Sequence, residues 1–193
     1  MDAKEIFELD LNKIGFDQRI SAADGKSRAQ QVYVWLAGKV TYDDDLAIKK
    51  MHVEASGPNA DPRLSREVRS IQRTAQQVIE GGKGVCIELA VAYVALANMC
   101  GLDAHVAQVR ESCFGEKFHQ KGAPWGHVCA AVTFQETIAV DLDQAYNKQG
   151  ITINEKPSGF QVPHRKLERM PLERLLFVYD SAEMFAQMYE ESD

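Results

Sequence analysis

The chain has 193 residues, 45% hydrophobic and 26% charged, with a formal net charge of −6. A chain of this length buries roughly 70% of its unfolded surface, so one domain over the whole length needs no disulfide or metal to fold. The acidic balance and the lack of a long Lys/Arg run exclude nucleic acid and anionic membranes as main partners.

Met1 to Asp10 is acidic and lacks the basic-then-apolar order of a signal peptide, and no apolar run is long enough to span a bilayer. The expected location is the cytoplasm. Residues 4–16 read as a short amphipathic helix with Ile6, Phe7, Leu9 and Ile14 apolar. Ser27 is the expected cap of a helix over 28–39, whose apolar stripe is Val32, Trp35 and Leu36. Thr41 to Asp45 breaks the pattern, and the acidic run Asp43-Asp44-Asp45 reads as a solvated loop. Ser56 to Pro62 reads as a loop, and helical spacing returns over 64–80 with Val68, Ile71, Ala75, Val78 and Ile79.

Gly81, Gly82 and Gly84 then turn the chain. Cys86 to Met99 is apolar all round, the mark of a central buried helix, with Gly101 as its stop. Residues 104–110 alternate like a strand. Residues 111–126 form a long polar loop, a kind that is often functional. Strands over 127–134 and 137–142 predict a hairpin, 150–162 a further strand, and Pro171 opens a last helix over 171–190. The order predicts an α+β fold, with the central helix packed on an antiparallel β-sheet between flanking terminal helices.

Four cysteines, Cys86, Cys100, Cys113 and Cys129, show neither a C-x-x-C pair nor zinc-type spacing, so no metal and no cofactor is expected. Cys100 and Cys129 lie in apolar runs and read as small buried hydrophobes; Cys113 lies in the polar loop. Cys86 differs. It follows the glycine turn and opens the central helix, where unpartnered N–H groups stabilise a thiolate and can hold an oxyanion.

A cysteine nucleophile needs a base, and five histidines are available. His52 and His164 lie near loops with no evident partner, His105 is in a strand, and His119 is in the polar loop. His127 starts the hairpin. There, the large apolar residues Val128, Val132, Phe134, Ile138, Val140 and Leu142 are all even-numbered. If the even residues share one face, the odd ones share the other, which places His127 with Asp141 and Asp143. A carboxylate at that place fixes the imidazole tautomer. Asp141 is the expected partner and Asp143 the alternative acid. The small Cys129, Ala131 and Ala139 on the odd face predict a close approach of the central helix to that side.

Gly84-Val85-Cys86, followed by Ala90, Leu96, Gly101 and Ala104, resembles the nucleophile region of the transglutaminase-like superfamily. Gly126-His127 and Val140-Asp141 resemble its histidine and aspartate elements, in the family's order. The helix with Trp35 and the following Val40-Thr41-Tyr42 resembles the segment before the family's core, so the likeness spans roughly 28–146. Cys129 and Leu142 depart from the pattern, where the family often has an aromatic residue and a proline. The resemblance implies a Cys86–His127–Asp141 triad and acyl transfer at an amide bond of a peptide, protein or small amide. It also implies an oxyanion hole from the Cys86 N–H and one side chain, for which Gln76, Gln77 and Tyr42 are the candidates. Hydrolysis is expected over cross-linking. Other readings are a protein-binding module on the same fold and a small-molecule acyltransferase. For the latter, Gly-x-Cys-x-Glu, ending at Glu88, is similar to the motif of arylamine N-acetyltransferases. The sequence leaves the oligomeric state open.

Overall fold

A computed structural model describes residues 2–17, 24–111, 127–143 and 159–190. Acidic caps divide its helical N-terminal half. Asp2 opens α1 (Ala3–Phe7) in a capping box with Glu5, and Asp10 opens α2 (Leu11–Ile14) by accepting the Asn12 and Lys13 N–H groups. The single helix expected over 4–16 is therefore two short ones, because a capping carboxylate competes for the N–H groups that would continue it. Asp24 likewise caps α3 (Gly25–Ala37) through the Lys26 and Ser27 N–H groups. Ser27, the expected cap, lies inside the first turn and hydrogen-bonds Asp24 Oδ2 at 2.5 Å.

β1 (Thr41–Tyr42) leads into α4 (Asp44–Ser56), capped by Asp43. The acidic run expected as a solvated loop is thus a helix start, and Asp43 is buried. Acids in a first turn suit the positive end of the helix. A short 3-10 turn, Gly57–Asn59, leads to α5 (Pro62–Ser70) and α6 (Ala75–Gly81). The pattern over 64–80 is broken between Ile71 and Thr74, where Thr74 and Gln77 form a capping box.

β2 (Lys83–Gly84) pairs in parallel with β1, setting Tyr42 opposite Gly84 just before α7 (Cys86–Met99). α7 is buried from Glu88 to Ala97, as its all-round apolar character demands. Its one phenol, Tyr93, is satisfied by the Ala29 carbonyl at 3.0 Å. β3 (Asp103–Glu111), β4 (His127–Thr133), β5 (Thr137–Val140), β6 (Phe160–Val162) and β7 (Lys166–Arg169) form an antiparallel sheet in the order β6-β5-β4-β3-β7. β7, on the far edge beside β3, has no counterpart in the sequence reading. The expected strand over 150–162 is described only from Phe160, and the polar loop beyond Glu111 lies outside the described residues. α8 (Leu172–Glu190) packs against α5, and its Tyr179 hydroxyl donates to the Arg73 carbonyl at 2.7 Å.

The hairpin register pairs Ala130 with Val140 and Val132 with Ile138, so even residues oppose even residues as the alternation predicts. The side on which α7 lies is the reverse of the expectation. Val128, Ala130, Val132, Ile138, Val140 and Leu142 join the α7 core, whereas Cys129, Ala131 and Ala139 belong to a separate cluster with Ala107, Val109 and Val162. Burying the larger aliphatic face against the most apolar helix removes more surface from water than docking on alanines would. Among the described residues, no helix is long and apolar enough to cross a membrane.

Candidate active site

Cys86 is half-buried at the first residue of α7. Its place is held from behind by a buried ionic network. Glu88, 0% exposed, accepts the Val85 N–H at 2.9 Å and the Arg73 N–H at 2.8 Å, and meets Arg73 Nη1 at 3.3 Å. Arg73 extends to Asp43 Oδ2 at 2.9 Å and to the Lys83 carbonyl at 3.2 Å. One guanidinium thereby joins the starts of α4, β2 and α7. Gly84 is closely packed, since a Cβ would lie 3.2 Å from the Glu88 side chain and 3.3 Å from that of Val78, and both would have to shift to admit it. Burial raises the Glu88 carboxyl above its ordinary range, against the Val85 N–H, Lys50 and Arg73. Burial in turn lowers the Lys50 ammonium, against the charges of Glu88 and Cys86.

On the opposite side, His127 begins β4 and Asp141 follows β5. Asp141 Oδ2 accepts from His127 Nε2 at 2.5 Å, and Asp141 is 2% exposed. His127 is also in side-chain hydrogen-bonding and electrostatic contact with Cys86. The structure therefore brings together the three residues singled out in the sequence. Burial works against the imidazolium of His127, but the charge and hydrogen bond of Asp141, with Cys86, raise its pKa well above the ordinary value. Burial would raise Asp141; the charge and hydrogen bond of His127, the His164 bond and the Asp143 N–H bring it down to about 2. Asp143, the alternative acid, donates its backbone N–H to Asp141 Oδ1 at 3.0 Å. Its own carboxylate stands 3.9 Å from His127 Nδ1. Asp141 is thus the direct partner and Asp143 the flanking charge.

The oxyanion-hole candidates separate. Gln76 accepts the Asp10 N–H at 2.9 Å and donates to Glu80 at 2.7 Å, and Gln77 accepts the Thr74 N–H at 2.9 Å. The carbonyl oxygens of both side chains, and the amide N–H of Gln76, thus fasten α6. Tyr42 is electrostatically coupled to the site: burial, then the negative charges of Cys86, Asp143, Asp141 and Asp44, push its phenol up. It stays a protonated donor. Cys129 is buried, as expected, and burial raises its thiol, with Asp141 and Cys86 adding to the effect.

His164, which has no evident partner in the sequence, lies against the same carboxylate, with Nε2 3.2 Å from Asp141 Oδ2. The alternation that pairs His127 with Asp141 covers 127–142, and His164 lies outside that hairpin. The candidate ligand atoms of His127, Asp141 and His164 all fall within 4.8 Å of one another. That is a metal-like composition, but the 2.5 Å separation of His127 and Asp141 is that of a short hydrogen bond. Two ligand atoms on one zinc ion stand about 3 Å apart or more.

The profile of the transglutaminase-like superfamily matches residues 14–141. The chain belongs to this superfamily. The matched span starts before α3 and ends on Asp141, so it takes in Cys86, His127 and Asp141 together. Members of this superfamily are typically cysteine-dependent enzymes. Comparison with curated proteins and with solved structures gives no match.

Proposed function

We propose that this transglutaminase-like chain hydrolyses amide bonds, as a peptidase or amidase, through a Cys86 thiolate. The reading is carried by His127, which touches Cys86 on one side and the buried carboxylate of Asp141 on the other. His127 takes the Cys86 proton, and the sulfur attacks the amide carbonyl carbon. The negative charge passes to the carbonyl oxygen, which meets the N–H at the start of α7 and the Tyr42 hydroxyl. The C–N bond then breaks, and the leaving amine takes the proton from His127. Water, deprotonated by His127, attacks the resulting thioester, releases the acid and returns the proton to sulfur. Asp141 holds the imidazole with Nε2 toward itself throughout.

The test is the pH profile of Cys86 alkylation by iodoacetamide in the wild type and His127→Ala, read by mass spectrometry with Cys113 and Cys129 as references. Near neutral pH, Cys86 of the wild type should react about tenfold faster than in the variant, because an imidazolium partner holds the thiolate. Superimposed profiles would remove the catalytic reading. A peptide-amide library then separates hydrolysis from transfer to an added amine.

A further inference from the structure

We infer that His164 is a positioning residue of the same site, which holds Asp141 Oδ2 through its Nε2–H and so sets how strongly that carboxylate draws on His127. The assignment to a catalytic site rests on the reading above; the coupling between the two histidines does not.

The two rings converge on one oxygen, His127 at 2.5 Å and His164 at 3.2 Å, with centroids 6.0 Å apart. A carboxylate oxygen that accepts two N–H groups shares its charge between them. The strength of one bond therefore depends on the presence of the other. His164 has a fully buried side chain, so water cannot stand in for its donor.

The backbone around His164 is built to hold this position. The register between β5 and β6 shifts from Ala139↔Val162 to Val140↔Phe160, leaving Gln161 as an extra residue. Gln161 has φ 58°, the left-handed region that costs a side-chain-bearing residue energy. Bulges re-aim side chains next to active sites, and strain of this kind persists only where its surroundings enforce it. Before the bulge, the Gly159 carbonyl accepts the Asp141 N–H at 2.7 Å, while the Gly159 N–H donates to the Tyr33 hydroxyl at 3.0 Å. After it, the His164 N–H donates to the Val162 carbonyl at 2.9 Å and the Arg165 N–H to the Glu111 carbonyl at 3.1 Å. A histidine that merely filled space would need no such fastening to the backbone of Asp141 itself.

Among the described residues, the other ionisable groups facing the pair are Cys86 from α7, Tyr42 from β1, Asp143 after β5 and Cys129 on β4. Since none of them donates a side-chain hydrogen to Asp141 Oδ2 in place of His164, removal of the His164 donor leaves more of the carboxylate charge to His127.

The experiment is an NMR titration of His127 in the wild type, His164→Phe and His164→Gln, together with long-range nitrogen–proton correlation of His164 in the wild type. His164→Phe keeps a ring without the donor and should raise the His127 midpoint by about one pH unit. His164→Gln keeps an N–H near the same place and should stay close to the wild type. The wild-type spectrum should show His164 protonated on Nε2. A His127 midpoint unmoved by Phe, an equal shift in both variants, or a His164 proton on Nδ1 alone would each overturn the inference. Should the Phe variant fail to fold, the tautomer and the Gln variant still decide it. If the coupling is found while His127→Ala leaves Cys86 alkylation unchanged, the catalytic reading fails and the hydrogen-bond assignment stands.

Discussion

Two carboxylates are buried on either side of Cys86, and the same burial leaves them in opposite states. Glu88, behind the start of α7, has its pKa raised. Asp141, beyond His127, has its pKa lowered to about 2. The difference lies in their partners. Glu88 is faced chiefly by backbone N–H groups and one guanidinium shared with Asp43 and Lys83. Asp141 faces an imidazole directly, and that imidazole gains its proton by the same contact. Burial alone therefore does not say what a carboxylate does. Glu88 holds the chain that presents the nucleophile, whereas Asp141 exchanges electrostatic energy with a group that titrates.

Breaking each side should separate the two roles. The largest effect on stability is expected for Glu88→Ala, which strips the Val85 and Arg73 N–H groups of their acceptor and leaves Arg73 with one partner fewer. A loss of about 3–5 kcal/mol in chemical denaturation is expected, with the His127 titration little changed in the folded fraction. Next, Asp141→Asn should leave the fold more nearly intact but lower the His127 midpoint by about 1–3 pH units, read by NMR, because desolvation then acts without the opposing charge. A Glu88 variant that moved His127 equally would erase the distinction.

A smaller effect should appear in stability against pH. The Asp141 contribution is fully present above its ordinary pKa of 3.8 and is lost as pH falls through its folded value of about 2. The His127 contribution is fully present below its ordinary 6.5 and is lost as pH rises through its raised folded value. The pair thus stabilises most between those two ordinary values. Glu88 acts in the same direction as His127 and opposite to Asp141: with its pKa raised above 4.5, stability is lost as pH rises through its folded value. Denaturation midpoints of the wild type and Asp141→Asn across pH should show the plateau in the first and a flattened profile in the second.

Much of the site was legible in the hairpin and in α7. Alternation placed His127 and Asp141 on one side without reference to structure, and the register confirms the even-to-even pairing. The all-round apolar run ending in glycine marked α7 as central, with Cys86 at its start. The face turned to α7 was misjudged because small residues suggested room, while the larger apolar area of the even face decided the packing. Two long helical patterns hid breaks at Asp10 and Thr74, where short polar side chains claim the backbone N–H groups that periodicity ignores.

By itself the sequence determined the periodic features: a buried helix that opens on a cysteine, and a hairpin whose odd residues include a histidine and an aspartate. These follow from local backbone geometry, which repeats every 3.6 or 2 residues and leaves its mark on neighbouring positions. Only the tertiary structure decided that Arg73 joins Asp43 to Glu88, that Tyr42 comes within electrostatic reach of Cys86, and that His164 shares the carboxylate of Asp141. Each of those pairings spans at least 15 residues. Such contacts are set by how packed elements meet, and no local period records them.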